Sequence, residues 1–457
     1  MTAPPEHPGA FGEQALREAA ERALQETEGD EAEALVLGQT QALTRFANNA
    51  VHQNVAAAGA DLRIRVVAGK RVAAVWTNRL DPDGIRAAAR QAGTLVRLAP
   101  ENPQWAGLPA AGAAPHAPAF REATAAASPE RRARLAATIC GPSRVAGLRA
   151  AGFVSTTVNE VAVANSHGTW AYHAGTVAEA QAVALGEAGS GYADRVHADL
   201  DRLDVGAVAA EAIHTAQRAQ RPREVPAGTY EVVLEPYAVA DVVEFLGSQL
   251  TGLAVEEGRS FVGGRLGERV TGETVTLVED PVDPEGLPRP FDFEGVPSER
   301  LVLIERGHAR SIVYDSQTAA RNGARNTGHA LPTGPAAPLP MHLRLEPGTK
   351  TREALIAGVK RGILVSRFWY TRWVHPLRTI VTGMTRDGTF LIENGEVASP
   401  VQNFRFTQSY HEALAGVVAM EHVLKLQRLD LWDFEAGSIR VPAVHLAAFT
   451  FTGTTHY

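Results

Sequence analysis

Cysteine is nearly absent: Cys140 is the only one in 457 residues. That excludes an internal disulfide and any cysteine-rich metal site. Its place at the end of the helix-like run SPERRARLAATIC reads as an inert core thiol, not a nucleophile. Dense Lys/Arg runs are missing too, and the formal charge is −7, which argues against a nucleic-acid surface. Arg218, Arg221 and Arg223 come nearest to such a run and read as a solvated helix end. No stretch approaches the ~18 apolar residues of a membrane span. The opening MTAPPEHPGAFGEQ lacks a basic start followed by an apolar run, so it is not read as a signal peptide. The expectation is a cytoplasmic protein without membrane or nucleic-acid partners.

What is present is an ordinary globular composition, 45% apolar, at a length of about two to three domains. Residues 1–12 read as a loose Pro/Gly tail. A helix is expected from Glu13 to about Glu28, then a strand at Ala34–Leu37 and a meander over Gln41–Asn78. Within the meander Arg63, Arg65 and Lys70 alternate with Leu62, Ile64 and Val66, the period of a half-exposed strand. Asp81-Pro82 and Ser128-Pro129 each pair an N-cap with proline at the first helical position. Strand-like pieces at Gly147–Thr157, Val161–Ala164, Trp170–His173 and Val177–Leu185 precede an Ala-rich helix, Asp204–Arg221. Pro222–Pro226 reads as a linker.

The fold class expected is α+β: a mixed N-terminal α/β domain over 13–222, then a large, mainly antiparallel β domain with a few helices over 223–457. The first domain divides into lobes 13–102 and 119–222 around the Pro/Ala/Gly segment Pro103–Pro118. In the second half, short β-like runs include Val275–Val278, Leu301–Ile304, Ser311–Tyr314, Leu343–Leu345, Ile363–Phe368, Phe390–Ile392 and Ala447–Thr452. Helices are expected at Thr351–Lys360 and from Tyr410 to about Gln427. The stretch Glu231–Leu246, EVVLEPYAVADVVEFL, reads as strand, tight turn and buried helix.

Chemistry-bearing motifs are sparse. FVGGRLG (Phe261–Gly267) lacks the GK[ST] ending and the dinucleotide spacing, so it reads as a turn. No G-x-S-x-G elbow occurs. His411 and His422 return to one face of the expected helix, but ~16 Å apart along its axis, too far to share one ion. Ser409 and Glu412 fit a capping box there. Asp292-Phe293-Glu294-Gly295 looks like a turn held by carboxylate-to-backbone hydrogen bonds. Asn326, Thr327 and His329 lie in a polar loop before Pro332, Gly334 and Pro335. With Asp292 and Glu294 they are the substrate-cavity candidates.

The order of motifs says more than any one of them. LTRFANNAVHQN (Leu43–Asn54) is followed by ANSHGTW (Ala164–Trp170), SFVGGRLGERV (Ser260–Val270) and DFEGVPSERLVLIERG (Asp292–Gly307). YDSQTAARNGARNTGHA (Tyr314–Ala330), LRLEPGTKTREALI (Leu343–Ile356), FLIENGEVASPV (Phe390–Val401) and VPAVHLAAFTFTGTT (Val441–Thr455) complete the series. Together these resemble the TldD/PmbA family, the so-called modulators of DNA gyrase, over essentially the whole chain after residue 13.

The resemblance implies a metallopeptidase fold. In TldD-type members a helix carries H-E-x-x-x-H; its histidines and a C-terminal cysteine bind the metal, and its glutamate is the general base. Aligned on the shared Ala-Val, the two histidine positions here are Pro236 and Asp241, the glutamate position is Tyr237, and the cysteine position falls near Phe434. No catalytic or metal-binding residue is therefore expected. The departure resembles the PmbA, or TldE-type, branch, which pairs with a zinc-bearing TldD-type subunit around a cavity for unfolded peptides. The activities implied for such a pair are natural-product maturation and antitoxin turnover. Two other readings stay open: a self-sufficient homodimeric hydrolase with a relocated site among Asp241, His329, His411, His422 and the Asp292/Glu294 loop, and a peptide-binding or scaffolding homodimer.

Overall fold

A computed structural model describes residues 8–333, 337–431 and 434–455, with backbone alone for Asp430, Leu431 and 434–436. Seven residues of the expected tail, and Gly334 and Pro335, lie outside the described residues. The rest of the tail is not loose. Phe11 and Gly12 donate their backbone N–H groups to the two oxygens of Glu160 at 2.6 and 2.9 Å.

The first half folds on one antiparallel six-stranded sheet, in the order β3-β2-β1-β4-β5-β6. The strands are β1 (Glu31–Ala47), β2 (Ala50–Ala68), β3 (Arg71–Thr77), β4 (Arg149–Asn165), β5 (Trp170–Leu185) and β6 (Ser190–His197). Asn48 and Asn49, both at positive φ, close the β1–β2 hairpin in two residues, a conformation asparagine tolerates. The β1–β4 ladder runs from Glu33 to Phe46, so the 13–102 and 119–222 lobes share this sheet.

Period-2 alternation decides what each face meets. Even-numbered positions of β1, β2 and β4, such as Val36, Ile64, Val154 and Ala162, face four helices. These are α1 (Glu13–Gln25) and α2 (Pro82–Leu98) at one end, with α4 (Pro129–Val145) and α5 (Val205–Arg218) at the other; the short α3 is Glu122–Ala125. The expected caps form: Asp81 accepts from the Gly84 N–H and Ser128 from that of Arg131. Odd-numbered positions point the other way, and Leu35, Val161 and Val163 join the core of the second half. Arg63 and Arg65 are odd-numbered, so they are buried at 2% and 3% exposure, not half-exposed as the alternation suggested. The second half of the chain covers that polar face.

The second half, from β7 (Gly228–Leu234) onward, holds two further sheets. One runs β10-β9-β8-β11-β18-β17, built from His308–Ala309, Leu301–Glu305, Leu277–Glu279, His342–Leu345, Phe434–Val441 and Lys425–Leu431. The other runs β12-β7-β19-β15-β13-β14, from Arg361–His375, β7, Val444–Thr454, Phe404–Ser409, Ile380–Glu393 and Glu396–Pro400. Pairing of β12 with β13 closes five of these strands into a ring, filled by stacked Phe368, Phe404, Phe406, Phe449 and Phe451. Strand β16 (Val417–Met420) adds to β19. The described helices are α6 (Pro236–Gly247), α7 (Gly252–Glu256), α8 (Ser316–Arg321), α9 (Arg352–Ala357) and α10 (Tyr410–Ala415). The protein is α+β.

The helix expected from Tyr410 to Gln427 stops at Ala415. Gly416 ends it, and β-branched Val417 and Val418 suit the strand that pairs with β19. His411 and His422 therefore share no helix. Nor does the capping box form: Ser409 Oγ donates to the Arg378 carbonyl instead, at 2.9 Å. Ser311–Tyr314 makes one isolated bridge, Val313 to Thr251, and no strand.

Candidate functional site

Helix α6 follows β7 through Glu235, as the Glu231–Leu246 pattern indicates, with Pro236 in its first turn. Ala238, Val239, Val242, Val243 and Leu246 bury its apolar face. At Gly247 a Cβ would meet Leu343 Cδ1 at 2.5 Å, so glycine lets the helix close on β11. The opposite end of α6 opens on a cleft of about 610 Å³ between the two halves of the chain. Its walls include Arg195 of β6, Glu211 and His214 of α5, Pro236 and Tyr237 of α6, Arg352 of α9, and Lys425 of β17.

Tyr237 is the centre of a closed polar network. Its hydroxyl accepts from the Asp194 N–H at 3.0 Å and donates to Glu211 Oε1 at 2.9 Å. Lys425 Nζ also meets the hydroxyl and sits 3.8 Å from the ring centroid. The ammonium bonds Glu211 at 3.0 and 3.2 Å, and Arg195 bonds the same carboxylate at 2.8 Å. Tyr192 packs edge-on against Tyr237, donates to Asp194 Oδ2 at 2.7 Å, and carries the Arg367 guanidinium over its ring. Gln427 donates to the other Asp194 oxygen.

The charges follow from burial. It pushes the Tyr237 phenol well above its usual range, and the Asp194 and Glu211 carboxylates add to this, so the phenol stays protonated. Burial lowers Lys425. Burial also opposes ionisation of Glu211, but Lys425 and Arg195 outweigh it and hold the carboxyl below its usual range. Glu235, raised by burial, is met by Arg352.

These residues do not fit a bound metal. Pro236 offers no donor atom, and the protonated phenol of Tyr237 is already committed to three partners, one of them a cation. One turn along, Asp241 is committed as well, accepting from Thr371 Oγ1 and the Tyr410 hydroxyl, each at 2.7 Å. Phe434 begins β18, and its side chain lies outside the described residues. Among the described residues, no three His, Cys, Asp or Glu side chains are placed to hold a metal ion.

Burial lifts the Asp241 carboxyl to about 6 from an ordinary 3.8, against the pull of its two hydroxyl donors. An acid raised on folding is stabilising while protonated, and that stability is lost as pH climbs from about 4 through about 6. Asp241→Asn keeps the shape and both partners. It is expected to raise stability at pH 7.5 by about 1–3 kcal/mol and to flatten the dependence between pH 4 and 7. Urea melts across that range check it; a loss of stability at pH 7.5 would refute the assignment.

The cavity candidates lie elsewhere. Asp292 and Glu294 are 0% and 2% exposed, Thr327 and His329 are buried, and Asn326 is half-buried. None of them lines the cleft at α6. Asp292 holds its turn as the sequence indicated, accepting from the Glu294, Val296 and Ala330 N–H groups at 2.8 to 3.0 Å. Asn326 Oδ1 accepts from the Gly328 N–H, and Thr327 bridges Tyr314 and His329. The hydrogen bonds they make run within the scaffold; His329 Nε2 makes none and stands 3.5 Å from Glu279 Oε1. The alternative set does not converge: His411 bonds Thr379 and stacks on Phe261, while His422 bonds the Lys350 carbonyl.

Sequence reading missed Asp194, Glu211 and Lys425. One signal was available, because Lys425 is one of four lysines and stands inside the apolar run Val423-Leu424-Lys425-Leu426. A lysine there must either reach solvent or find a carboxylate.

An α+β scaffold of three sheets, with a helix opening into a cleft between its halves, is thus the class defined by fold and site. The chain belongs to the PmbA/TldD family: models of the PmbA/TldA metallopeptidase domain 1, central domain and C-terminal domain match residues 32–95, 119–220 and 227–453. The crystal structure of TldE from Thermococcus kodakarensis superposes with a TM-score of 0.86 at 22% identity, covering 96% of this chain and 100% of that one. A metalloprotease of Methanothermobacter thermautotrophicus is 26% identical over 221 residues, 48% of each chain. A metalloprotease TldD homologue of Haemophilus influenzae is 29% identical over 264 residues, 55% of this chain and 54% of that one. The alignments thus span about half the length of these two relatives.

Proposed function

We propose that this protein is the non-catalytic, TldE-like subunit of a two-subunit metallopeptidase acting on unfolded peptides. The observation that carries the reading is the committed state of the helix positions where a TldD-type member holds its metal and base. Pro236 cannot ligate, Tyr237 is locked to Asp194, Glu211 and Lys425, and Asp241 to Thr371 and Tyr410. The Lys425 ammonium beside Tyr237 would also repel a divalent cation. The zinc that the family's chemistry needs then belongs to the partner, and this chain supplies wall to a shared peptide cavity. The likeness to a TldE structure is consistent with this as a matter of fold.

The test is metal content followed by reconstitution. After dialysis against trace zinc, the purified chain is expected to hold less than about a tenth of an equivalent of metal. Co-expression with a TldD-type protein carrying H-E-x-x-x-H is expected to yield a complex that cleaves unstructured peptides, with neither chain active alone. About one tightly held equivalent in this chain, or peptidase activity without a partner, would overturn the reading.

A further inference from the structure

The outer half of the β12–β13 hairpin, Arg367 to Asp387, stands apart from the rest of the surface. Trp369, Tyr370, Val374 and Leu377 are 43, 63, 55 and 47% exposed within nine residues. The same segment holds Arg367, Arg372, Arg378, Arg386 and His375 against one acid, Asp387, in a chain whose formal charge is −7. That acid is buried beneath Arg367. Among the described residues, Arg372 and Arg378 form no ion pair. Exposed aromatic rings interleaved with arginine are the composition of interface hot spots.

The backbone is shaped to present these groups. Strand β7 pairs with β12 only as far as Val365, so the outer part of β12 is hydrogen-bonded to β13 alone. Its ladder to β13 slips between Trp369 and Arg372, and Tyr370 within that bulge has φ +59°. A left-handed tyrosine is a rare conformation, and a bulge turns its side chain outward. Behind the hairpin, Trp373 packs edge-on against Phe245 of α6, and Thr371 bonds Asp241. The protrusion is thus mounted directly on the helix of the candidate site.

We propose that this hairpin is the docking surface for the catalytic partner subunit, engaged through carboxylates set around an apolar strip. The inference rests on the two-subunit reading above. An identical partner is disfavoured, because a two-fold contact here would bring the arginine-rich patch against its own copy. Single-stranded nucleic acid is disfavoured because guanidinium groups already cover the rings. Arg367 and Arg386 lie 4.9 and 5.1 Å from the Trp369 centroid, and Arg372 lies 4.1 Å from that of Tyr370. Bases need those faces free to stack.

The experiment is affinity for a co-purified TldD-type subunit, measured by interferometry at 50 and 300 mM salt. Trp369→Ala should weaken binding roughly 30-fold or more. The Arg372→Glu/Arg378→Glu pair should slow association at low salt and remove most of its salt dependence. Tyr370→Gly should weaken binding while leaving the melting temperature unchanged or higher, since glycine accepts the positive φ freely; a merely structural tyrosine would give the opposite. Wild-type affinity in all three variants would overturn the docking surface and leave the two-subunit reading intact. Absence of any wild-type complex would overturn both. Self-association lost in the variants would assign the surface to a second copy, and variant-sensitive binding of a fluorescent oligothymidine would assign it to nucleic acid. Either result overturns the proposal.

Discussion

Arg65→Met is expected to destabilise the protein by about 3–5 kcal/mol, because it breaks a buried ion network without replacing it. Arg65 Nη1 bonds Glu294 Oε1 at 2.9 Å, and its Nε lies 3.7 Å from Glu33 Oε1. Arg63 bonds Glu33 at 2.6 Å and the Pro332 carbonyl. Two cations and two anions, all at 4% exposure or less, balance one another between β2 of the first half and the β8–β9 loop of the second. Glu294 is held below its usual range: burial opposes its ionisation, but Arg65 and the Ser316 hydroxyl outweigh it. Methionine would leave Glu294 charged and without its main counter-ion in low dielectric. Calorimetry would show both halves melting together in the wild type, with the transition about 3–5 °C lower in the variant. Arg65→Met/Glu294→Leu should recover a large part of the loss, since apolar replacement of a whole pair costs little. A single variant within about 1 kcal/mol of wild type would mean that the apolar contacts of Leu35, Val161 and Val163 hold the halves together unaided.

That network also shows where the sequence stops being informative. Alternation along β2 correctly placed Arg63 and Arg65 on the face opposite Leu62 and Ile64, but no local rule says what covers a polar face. Glu294 lies 229 residues away from its partner Arg65, and the Pro332 carbonyl 269 residues from Arg63. The same limit applies at α6. The strand, the turn and the buried helix could be read from Glu231–Leu246, because propensity, the proline and the apolar spacing agree. The network around Tyr237 could not, since Asp194, Glu211 and Lys425 come from three other elements. The α10 region failed for a different reason. Its helical apolar spacing continues past Gly416, and pairing of Val417 with β19 decided the outcome. The caps at Asp81 and Ser128, being contacts over three residues, were legible; the one at Ser409 was not, because a distant carbonyl, that of Arg378, takes its hydroxyl.

Glu279→Ala should cost a comparable 3–5 kcal/mol at neutral pH, with a pH signature of its own. Glu279 lies on β8 with 0% exposure. It accepts the Met341 N–H at 3.0 Å and the His342 N–H at 2.9 and 3.0 Å. His329 Nε2 and His342 Nδ1 each stand 3.5 Å from Oε1. Burial alone would raise this carboxyl, yet the two imidazoles outweigh it and hold it at about 2, down from 4.5. A carboxyl depressed on folding contributes stability that is complete above its unfolded value, near 4.5, and is lost as pH falls through about 2. The span is worth roughly 3 kcal/mol. Stability of wild type and variant, followed by urea melts from pH 7 to pH 2.5, should therefore converge as pH falls, most steeply below 4.5. Burial also lowers His342, so its protonation adds a second loss on the acid side, one that the variant retains. A gap between the two proteins that stays constant down to pH 2.5 would show that the carboxylate serves only as a backbone acceptor. The imidazoles would then contribute packing and no charge.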